Sequence, residues 1–283
     1  MLNKTQKETS PEKYKITINN VKNLPQTTGV YVFRGRSDFP LYIGKSVNIR
    51  SRVMSHLRNP NEKKMISQVL QIDFIETAGE IGALLLESQM IKEYSPLFNM
   101  RLRRLRYLCT ISTKKTANGI SPKILDSNSV SFGFTPDLYG LFPSRHAANA
   151  KLRKLAQDNK LCQAILNLES VSHRGCFGLQ IKTCLGVCIG KEDRETHDSR
   201  LLEALEKFRV EVWPFHGPID LVEQFGDWIQ RHRVINWCHL GTWCSKTKNT
   251  LKYKPTKDFD LDSYKILVKP IMLKKKKIEI VDL

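Results

Sequence analysis

Two β-branched and aromatic runs, Gly29-Val30-Tyr31-Val32-Phe33-Arg34 and Pro40-Leu41-Tyr42-Ile43-Gly44, flank the polar stretch Gly35-Arg36-Ser37-Asp38. That arrangement predicts a strand, a turn and a second strand. Successive strand side chains point to opposite faces. Val30 and Val32 then share one face, and Tyr31 and Phe33 the other. Leu41 and Ile43 oppose Tyr42, so one tyrosine from each strand can stand on a common side. After Gly44 the period changes. Val47, Ile49, Val53 and Leu57 recur at helical spacing, and Ser46 is a candidate N-cap. Arg52 and His56, four residues apart, emerge on one face of that helix. A linker helix is predicted around 64–70 and a third strand over 72–75. Thr77-Ala78-Gly79-Glu80 reads as a capping box for a helix running through Tyr94, which Pro96 stops.

Farther along, residues 106–142 are rich in strand and turn signals, and Ser144 can cap a helix reaching 151–155. A helix charged on one face is predicted over about 198–211, and a helical stretch near 221–232. Short apolar segments follow at 234–237 and 264–268. The order predicts an α+β protein. A polar N-terminal extension covers 1–23, and a small α/β sandwich on an antiparallel sheet covers 24–105. A basic linker with a four-cysteine segment covers 106–195, and a small α+β C-terminal module covers 196–283. No internal repeat or low-complexity tract interrupts it.

The candidate chemistry gathers in the first domain. Glu87 has Ala83, Leu84, Met90 and Ile91 as helical neighbours, and a carboxylate on such a stripe is costly to bury unless a cation or donors receive it. The alternative is a boundary glutamate that snorkels to water or pairs with Lys92 or an arginine. Lys45 sits where the second strand gives way to a helix, beside backbone N–H groups that favour anions. A phosphate there would meet Lys45, Arg52 and the two tyrosines together. Without a ligand, the same residues make a hairpin on a helix, with core tyrosines and surface cations.

In this order, Gly29-Val30-Tyr31, Tyr42-Ile43-Gly44, Lys45, Arg52, Glu87 and Asn99 resemble the GIY-YIG nuclease superfamily. The runs at 41–53, 77–87 and 96–99 bring the resemblance closer to the UvrC excinuclease family, in particular to a short homologue within it, and it covers most of the chain. The resemblance implies an endodeoxyribonuclease that hydrolyses a phosphodiester and leaves a nick. It implies one divalent cation, Mg2+ or Mn2+, on Glu87, with Asn99 fixing local structure or a metal-bound water. Tyr42 is then the general base and Tyr31 a member of the water network. Lys45 would position or acidify the nucleophile, and Arg52 would hold the non-bridging oxygens. His56 stands where relatives often carry tyrosine; it is a rival base or orients substrate. By the same resemblance, the partners are damaged double-stranded DNA and the UvrB–DNA complex formed by UvrA and UvrB, and the cut is a single one on the 3′ side of the lesion. A chain of this length is expected to lack the second nuclease domain and the helix-hairpin-helix repeats of the long family members. A stand-alone endonuclease selective for structure or sequence is the main alternative; a non-catalytic DNA-binding adaptor is a weaker one.

Composition extends this picture. The 283 residues carry 46 Lys and Arg against 28 acids, a net charge of +18, which predicts a polyanionic partner and salt-sensitive binding. The densest cluster, Arg101, Arg103, Arg104 and Arg106, could track a phosphate backbone or serve as a solvated connector; Lys274-Lys275-Lys276-Lys277 reads as a solvated turn. Neither a membrane span nor a signal-peptide core is recognisable, so a cytoplasmic protein without a membrane partner is expected. Seven cysteines in such a chain argue against a disulfide framework. Cys162, Cys176, Cys184 and Cys188 cluster at spacings that suit Zn2+ or an iron–sulfur cluster, with buried free thiols as the alternative. The family resemblance implies a [4Fe–4S] cluster on these four, although the interval from Cys162 to Cys176 is longer than that family's.

Overall fold

The computed structural model describes residues 14–36, 39–99, 107–252, 259–273 and 279–282. The basic cluster Arg101, Arg103, Arg104 and Arg106 and the four lysines at 274–277 lie outside the described residues. Residues 1–104 and 214–283 together form one compact unit, and 105–213 form a second.

In the first unit, β1 (Tyr14–Thr17), β2 (Gly29–Arg34), β3 (Pro40–Ser46) and β4 (Gln71–Glu76) build an antiparallel sheet in the order β1-β4-β2-β3. Helix α1 (Ile49–Arg58) and the single turn α2 (Lys63–Ile66) lie on one face, where Tyr31, Phe33, Ile49, Val53, Met65, Ile72 and Phe74 form a core. Helix α3 (Glu80–Tyr94) covers the other, with Val30, Val32 and Ile43 against Ala83, Met90 and Ile91. Both faces of β2 are filled, which accounts for its unbroken apolar run. Tyr31 pairs with Gly44 and Phe33 with Tyr42 across β2 and β3, so the two tyrosines do stand on one face.

Two predicted caps are replaced. Ser46 ends β3, and its hydroxyl bonds the backbone of Asn48; Asn48 itself caps α1 by accepting from Ser51 N at 2.9 Å. Val47 therefore precedes the helix and is exposed rather than part of the stripe. At α3 the capping box does not close. Thr77 Oγ1 donates to Gly79 O, the N-cap is the side-chain-free Gly79, and Glu80 pairs with Lys45 instead. The N–H groups of Ile81 and Gly82 are bonded to the carboxylate of Glu223, far away in sequence.

The second unit holds β5 (Cys109–Thr116), β6 (Gly119–Asp126) and β7 (Leu138–Phe142) in the order β6-β5-β7. Helix α4 (Arg145–Asp158) is capped by Ser144, whose Oγ accepts from Ala147 N at 3.1 Å, as predicted. The short α5 (Phe177–Gln180) lies in the cysteine segment, followed by α6 (Arg194–Glu206). Leu201 and Leu205 of α6 pack with Ile111, Tyr139, Leu152 and Leu155. The stretch 196–206 thus belongs with the cysteine unit and not with the C-terminal module.

Back in the first unit, β8 (Ile219–Phe225), β9 (Trp228–Ile235), β10 (Cys238–Cys244), β11 (Asn249–Lys252) and β12 (Glu279–Asp282) form an antiparallel sheet in the order β11-β10-β9-β8-β12. The helix predicted near 221–232 is therefore a hairpin. Along β9, Trp228, Gln230, His232 and Val234 are buried, a period of two. Two of those inward positions are polar, so hydropathy hid the alternation. Helix α7 (Leu261–Met272), capped by Asp260, packs Tyr264 edge-on against Trp237 at 5.1 Å. Among the described residues no helix is long and apolar enough to cross a membrane.

Gly29 marks the tightest point of the first sheet. A Cβ there would lie 2.2 Å from Ile75 O and 2.9 Å from Glu76 Cα, both backbone atoms of β4. Gly29→Ala is expected to force β2 and β4 apart at a cost of about 1–3 kcal/mol, read as a lower urea midpoint with an unchanged m-value. An unaltered midpoint would contradict this strand spacing.

Candidate active site

β3 is an edge strand, and its outward N–H and C=O groups need partners. Asn99 supplies both for Ile43. Its Oδ1 accepts from Ile43 N at 2.9 Å and its Nδ2 donates to Ile43 O at 2.7 Å, while Phe98 N donates to Leu41 O at 3.0 Å. The next outward N–H, that of Lys45, is taken by Glu87 Oε1 at 2.9 Å. Of the two roles expected for Asn99, the structure thus displays the local one. Glu87 Oε2 accepts no hydrogen bond among the described residues. Burial pushes the Glu87 carboxyl above the usual range, opposed by the Lys45 N–H and by the charges of Lys45 and Arg52. The half-buried carboxylate is thus short of positive charge, a donor set that suits a hard divalent cation with water completing its shell.

On the α1 face, Tyr31, Tyr42 and His56 form an aromatic wall: the Tyr31 and Tyr42 rings are 6.1 Å apart, and His56 is 5.6 Å and 5.4 Å from them. The Tyr31 ring lies across Gly44, where an added Cβ would sit 2.3 Å from its hydroxyl. Each glycine of the two triplets therefore permits a close approach, Gly29 to β4 and Gly44 to Tyr31. Tyr31 Oη is 2.6 Å from His56 Nε2, and His56 Nδ1 pairs with the Glu62 carboxylate. A carboxylate can only accept, so Nδ1 carries a proton, and in the neutral ring Nε2 then accepts from the phenol. His56 is 3% exposed. With both nitrogens engaged, it reaches the site through Tyr31. Glu62, in a single turn after Asn59-Pro60, carried no periodic signal that sequence reasoning could have used.

Arg52 couples electrostatically to both phenols. Burial, and then the neighbouring Tyr42, push Tyr31 far above the ordinary phenol range; burial, and then the charge of Glu87, push Tyr42 up. Both phenols are neutral at physiological pH. Lys45 Nζ lies 2.6 Å from Glu80 Oε1, two helical turns before Glu87. Tyr31, Tyr42, Lys45, Arg52, His56, Glu87 and Asn99 are thus gathered around one edge of one sheet.

The four clustered cysteines meet in the second unit. Sγ atoms of Cys162, Cys176, Cys184 and Cys188 all lie within 4.8 Å of one another. Leu179 N donates to Cys176 Sγ and Gly186 N to Cys184 Sγ, each at 3.3 Å. Burial raises Cys162 and Cys176 to about 11, so only a bound cation would make these thiols thiolates near neutral pH. Four such donors fit one soft-metal centre, and a tetrahedral Zn2+ with bonds of about 2.3 Å would set them about 3.8 Å apart. The buried His197 was not anticipated: its Nε2 accepts from Cys162 N at 3.1 Å, and its Nδ1 faces Asp198 at 3.1 Å. Cys109 and Cys238 are buried elsewhere, and Cys244 accepts from Trp228 Nε1.

Comparison with known proteins places the chain. The model of the UvrC-like GIY-YIG domain matches residues 27–100, that of the UvrC/Cho excinuclease middle domain 108–207, and that of the excinuclease Cho C-terminal domain 218–283. Excinuclease Cho of Escherichia coli (strain K12) is 47% identical over 254 residues, 89% of this chain and 85% of that protein. UvrABC system protein C of Methanothermobacter thermautotrophicus is 32% identical over 196 residues, 68% of this chain and 32% of that longer protein. A crystal structure of the GIY-YIG N-terminal endonuclease domain of UvrC from Thermotoga maritima, bound to its catalytic divalent cation magnesium, is 30% identical and covers 29% of this chain and 93% of that one, with a TM-score of 0.28. Three domain models in consecutive order and near-full-length identity give one conclusion: the chain belongs to the excinuclease Cho family and is a DNA endonuclease of excision repair.

Proposed function

We propose that this endonuclease makes a single nick on the 3′ side of a lesion in double-stranded DNA that UvrA and UvrB have already marked. The observation that carries the reading is the juxtaposition at the β3 edge: a carboxylate with one unengaged oxygen beside two coupled phenols and an arginine. The charge of +18 fits a polyanionic substrate, and the basic cluster Arg101, Arg103, Arg104 and Arg106 is assigned to the departing phosphate backbone.

Glu87 would hold Mg2+ or Mn2+, which when bound supplies charge stabilisation for the phosphate and the departing sugar oxygen. Arg52 offers its fork of donors to the non-bridging oxygens. Lys45 must exchange its Glu80 partner for the substrate to reach the same phosphate. Water attacks phosphorus as the bond to the sugar oxygen breaks. A phenol raised above its ordinary pKa of about 10 is a poor base on its own. A relay through Tyr31, His56 and Glu62 would remove that difficulty: Tyr31 is hydrogen-bonded to His56 and His56 meets Glu62, and Tyr42, whose ring lies 6.1 Å from that of Tyr31, would turn its hydroxyl to donate to Tyr31 when substrate binds. The water proton passes to the Tyr42 oxygen, the Tyr42 proton to Tyr31, and the Tyr31 proton to His56 Nε2. Glu62 then faces an imidazolium, and neither phenol ionises. Tyr42 is thus the base that touches the nucleophile, and His56 is where the proton rests. A [4Fe–4S] cluster, the expectation from the family, is proposed for the centre: the Cys162, Cys176, Cys184 and Cys188 thiolates would hold it after spreading from separations of 4.8 Å or less, which also suit a single Zn2+.

Three outcomes test this reading. An end-labelled duplex with one bulky lesion, incubated with UvrA, UvrB, ATP and Mg2+, is expected to be cut once, 3′ of the lesion, and left intact by Glu87→Ala. Partner-independent cutting of undamaged DNA would favour a stand-alone nuclease, and no cutting by either protein would favour an adaptor. Glu62→Gln, whose amide can donate as well as accept and so no longer fixes the proton on His56 Nδ1, is expected to slow nicking by about 10–100-fold without lowering the melting temperature by more than a few degrees; wild-type rates would sink the relay. Purified protein is expected to contain iron and acid-labile sulfide with broad visible absorbance, both lost in Cys184→Ser. A colourless protein with one equivalent of zinc would replace the cluster assignment.

A further inference from the structure

Helix α3 carries Glu87 and has no side-chain cap of its own, since Gly79 stands at its N-cap and Glu80 points to Lys45. Its first turn is capped from the C-terminal module. Glu223 on β8 accepts from Ile81 N at 3.0 Å with one oxygen and from Gly82 N at 2.7 Å with the other. Gln230 on β9 accepts from Ala78 N at 2.8 Å. His232 Nε2 lies 3.2 Å from Glu223 Oε2, and its Nδ1 is 2.8 Å from Thr242 Oγ1. Glu223 and Gln230 are each 8% exposed and His232 is fully buried. The helix is shaped for the contact: a Cβ on Gly79 would lie 2.2 Å from Glu223 Oε1, and one on Gly82 would lie 2.8 Å from His232 Cε1. At the far end of the helix, Lys92 Nζ is 2.6 Å and 2.7 Å from the two oxygens of Asp260 and 3.1 Å from Asp262.

The spacing of these two grips is what links them to the chemistry. Gly82 lies five residues before Glu87 and Lys92 five residues after it, so each grip is about 7.5 Å along the axis from the carboxylate. A negative group at a helix N-terminus and a fixed cation near its C-terminus both also suit the helix dipole. Two fixed points on a rigid helix set its axial position and rotation, and these decide whether Glu87 meets the N–H of Lys45. We infer that Glu223, supported by His232, and the Asp260–Lys92 pair are positioning residues that hold the Glu87 helix in register with β3. The C-terminal module would then tune the cation site without touching it. This inference rests on Glu87 as the cation ligand.

The test uses Mn2+ alone, titrated into the full-length, DNA-free protein, with bound and free ion distinguished by electron paramagnetic resonance. Glu223→Ala is expected to weaken Mn2+ binding by about 10-fold or more, the range seen when groups behind a metal ligand are removed. Glu223→Gln retains one acceptor and is expected to weaken it less. Lys92→Met, which frees the other end and leaves the capped turn intact, is expected to weaken it as well, and it carries the test if Glu223→Ala does not fold. Circular dichroism and thermal melts separate folding from positioning. Folded variants with lower melting temperatures but wild-type Mn2+ affinity would overturn the inference. Glu87→Ala serves as the reference: if it alone loses Mn2+, only the positioning role fails, whereas if it retains Mn2+ the cation-ligand reading fails first.

Discussion

The geometry of the site depends on one constraint, the need to satisfy the outward backbone groups of an edge strand. In β3 these groups belong to Leu41, Ile43 and Lys45, and they are met by Phe98, Asn99 and Glu87. An unpaired edge is a cost and an aggregation hazard. Here the residues that relieve it are the ones that build the site. Asn99 matches both polar groups of one residue, so it acts as a stub of a further strand. Glu87 meets a single N–H and keeps an oxygen in reserve. The carboxylate is fixed to the same strand that carries Tyr42, and that fixes their relation to each other.

The second dependence is on burial. Packing both faces of β2 places Tyr31 and Phe33 in the core and leaves Tyr42, one strand nearer the edge, half-buried. Burial holds both phenols neutral. It also encloses His56 and gives it two hydrogen-bonding partners. The proposed relay gives both candidate bases a part: Tyr42 stands at the surface of the site, and His56 lies behind Tyr31, to which it is hydrogen-bonded. In the second unit, a comparable arrangement places His197 and Asp198 behind Cys162.

Much of this was legible in the chain. The strand pair, its facing tyrosines, the Arg52 and His56 spacing, the Glu87 helix and the Ser144 cap follow from local periodicity, and local periodicity is what packing against a sheet imposes. The residues that escaped prediction share a different origin. Glu223 caps α3 across more than a hundred residues, Glu62 meets His56 around a turn, and Asn48 displaces Ser46 because β3 runs on through Ser46. The hairpin of β8 and β9 read as a helix because Gln230 and His232 fill inward positions, and they are polar because their partners are the Ala78 N–H just before α3 and the Glu223 carboxylate. The misread hairpin therefore coincides with the contacts that join the C-terminal module to the Glu87 helix, whereas Glu62 and Asn48 were missed at turns within the first domain.

The position of the bound cation decides most directly between this chemistry and any other. Anomalous diffraction from a crystal soaked in Mn2+ would locate it. The expected result is a single strong peak about 2.1 Å from Glu87 Oε2, with Oε1 still accepting from Lys45 N at the edge of β3. A peak on Glu80 or elsewhere, with Glu87 unchanged, would contradict it.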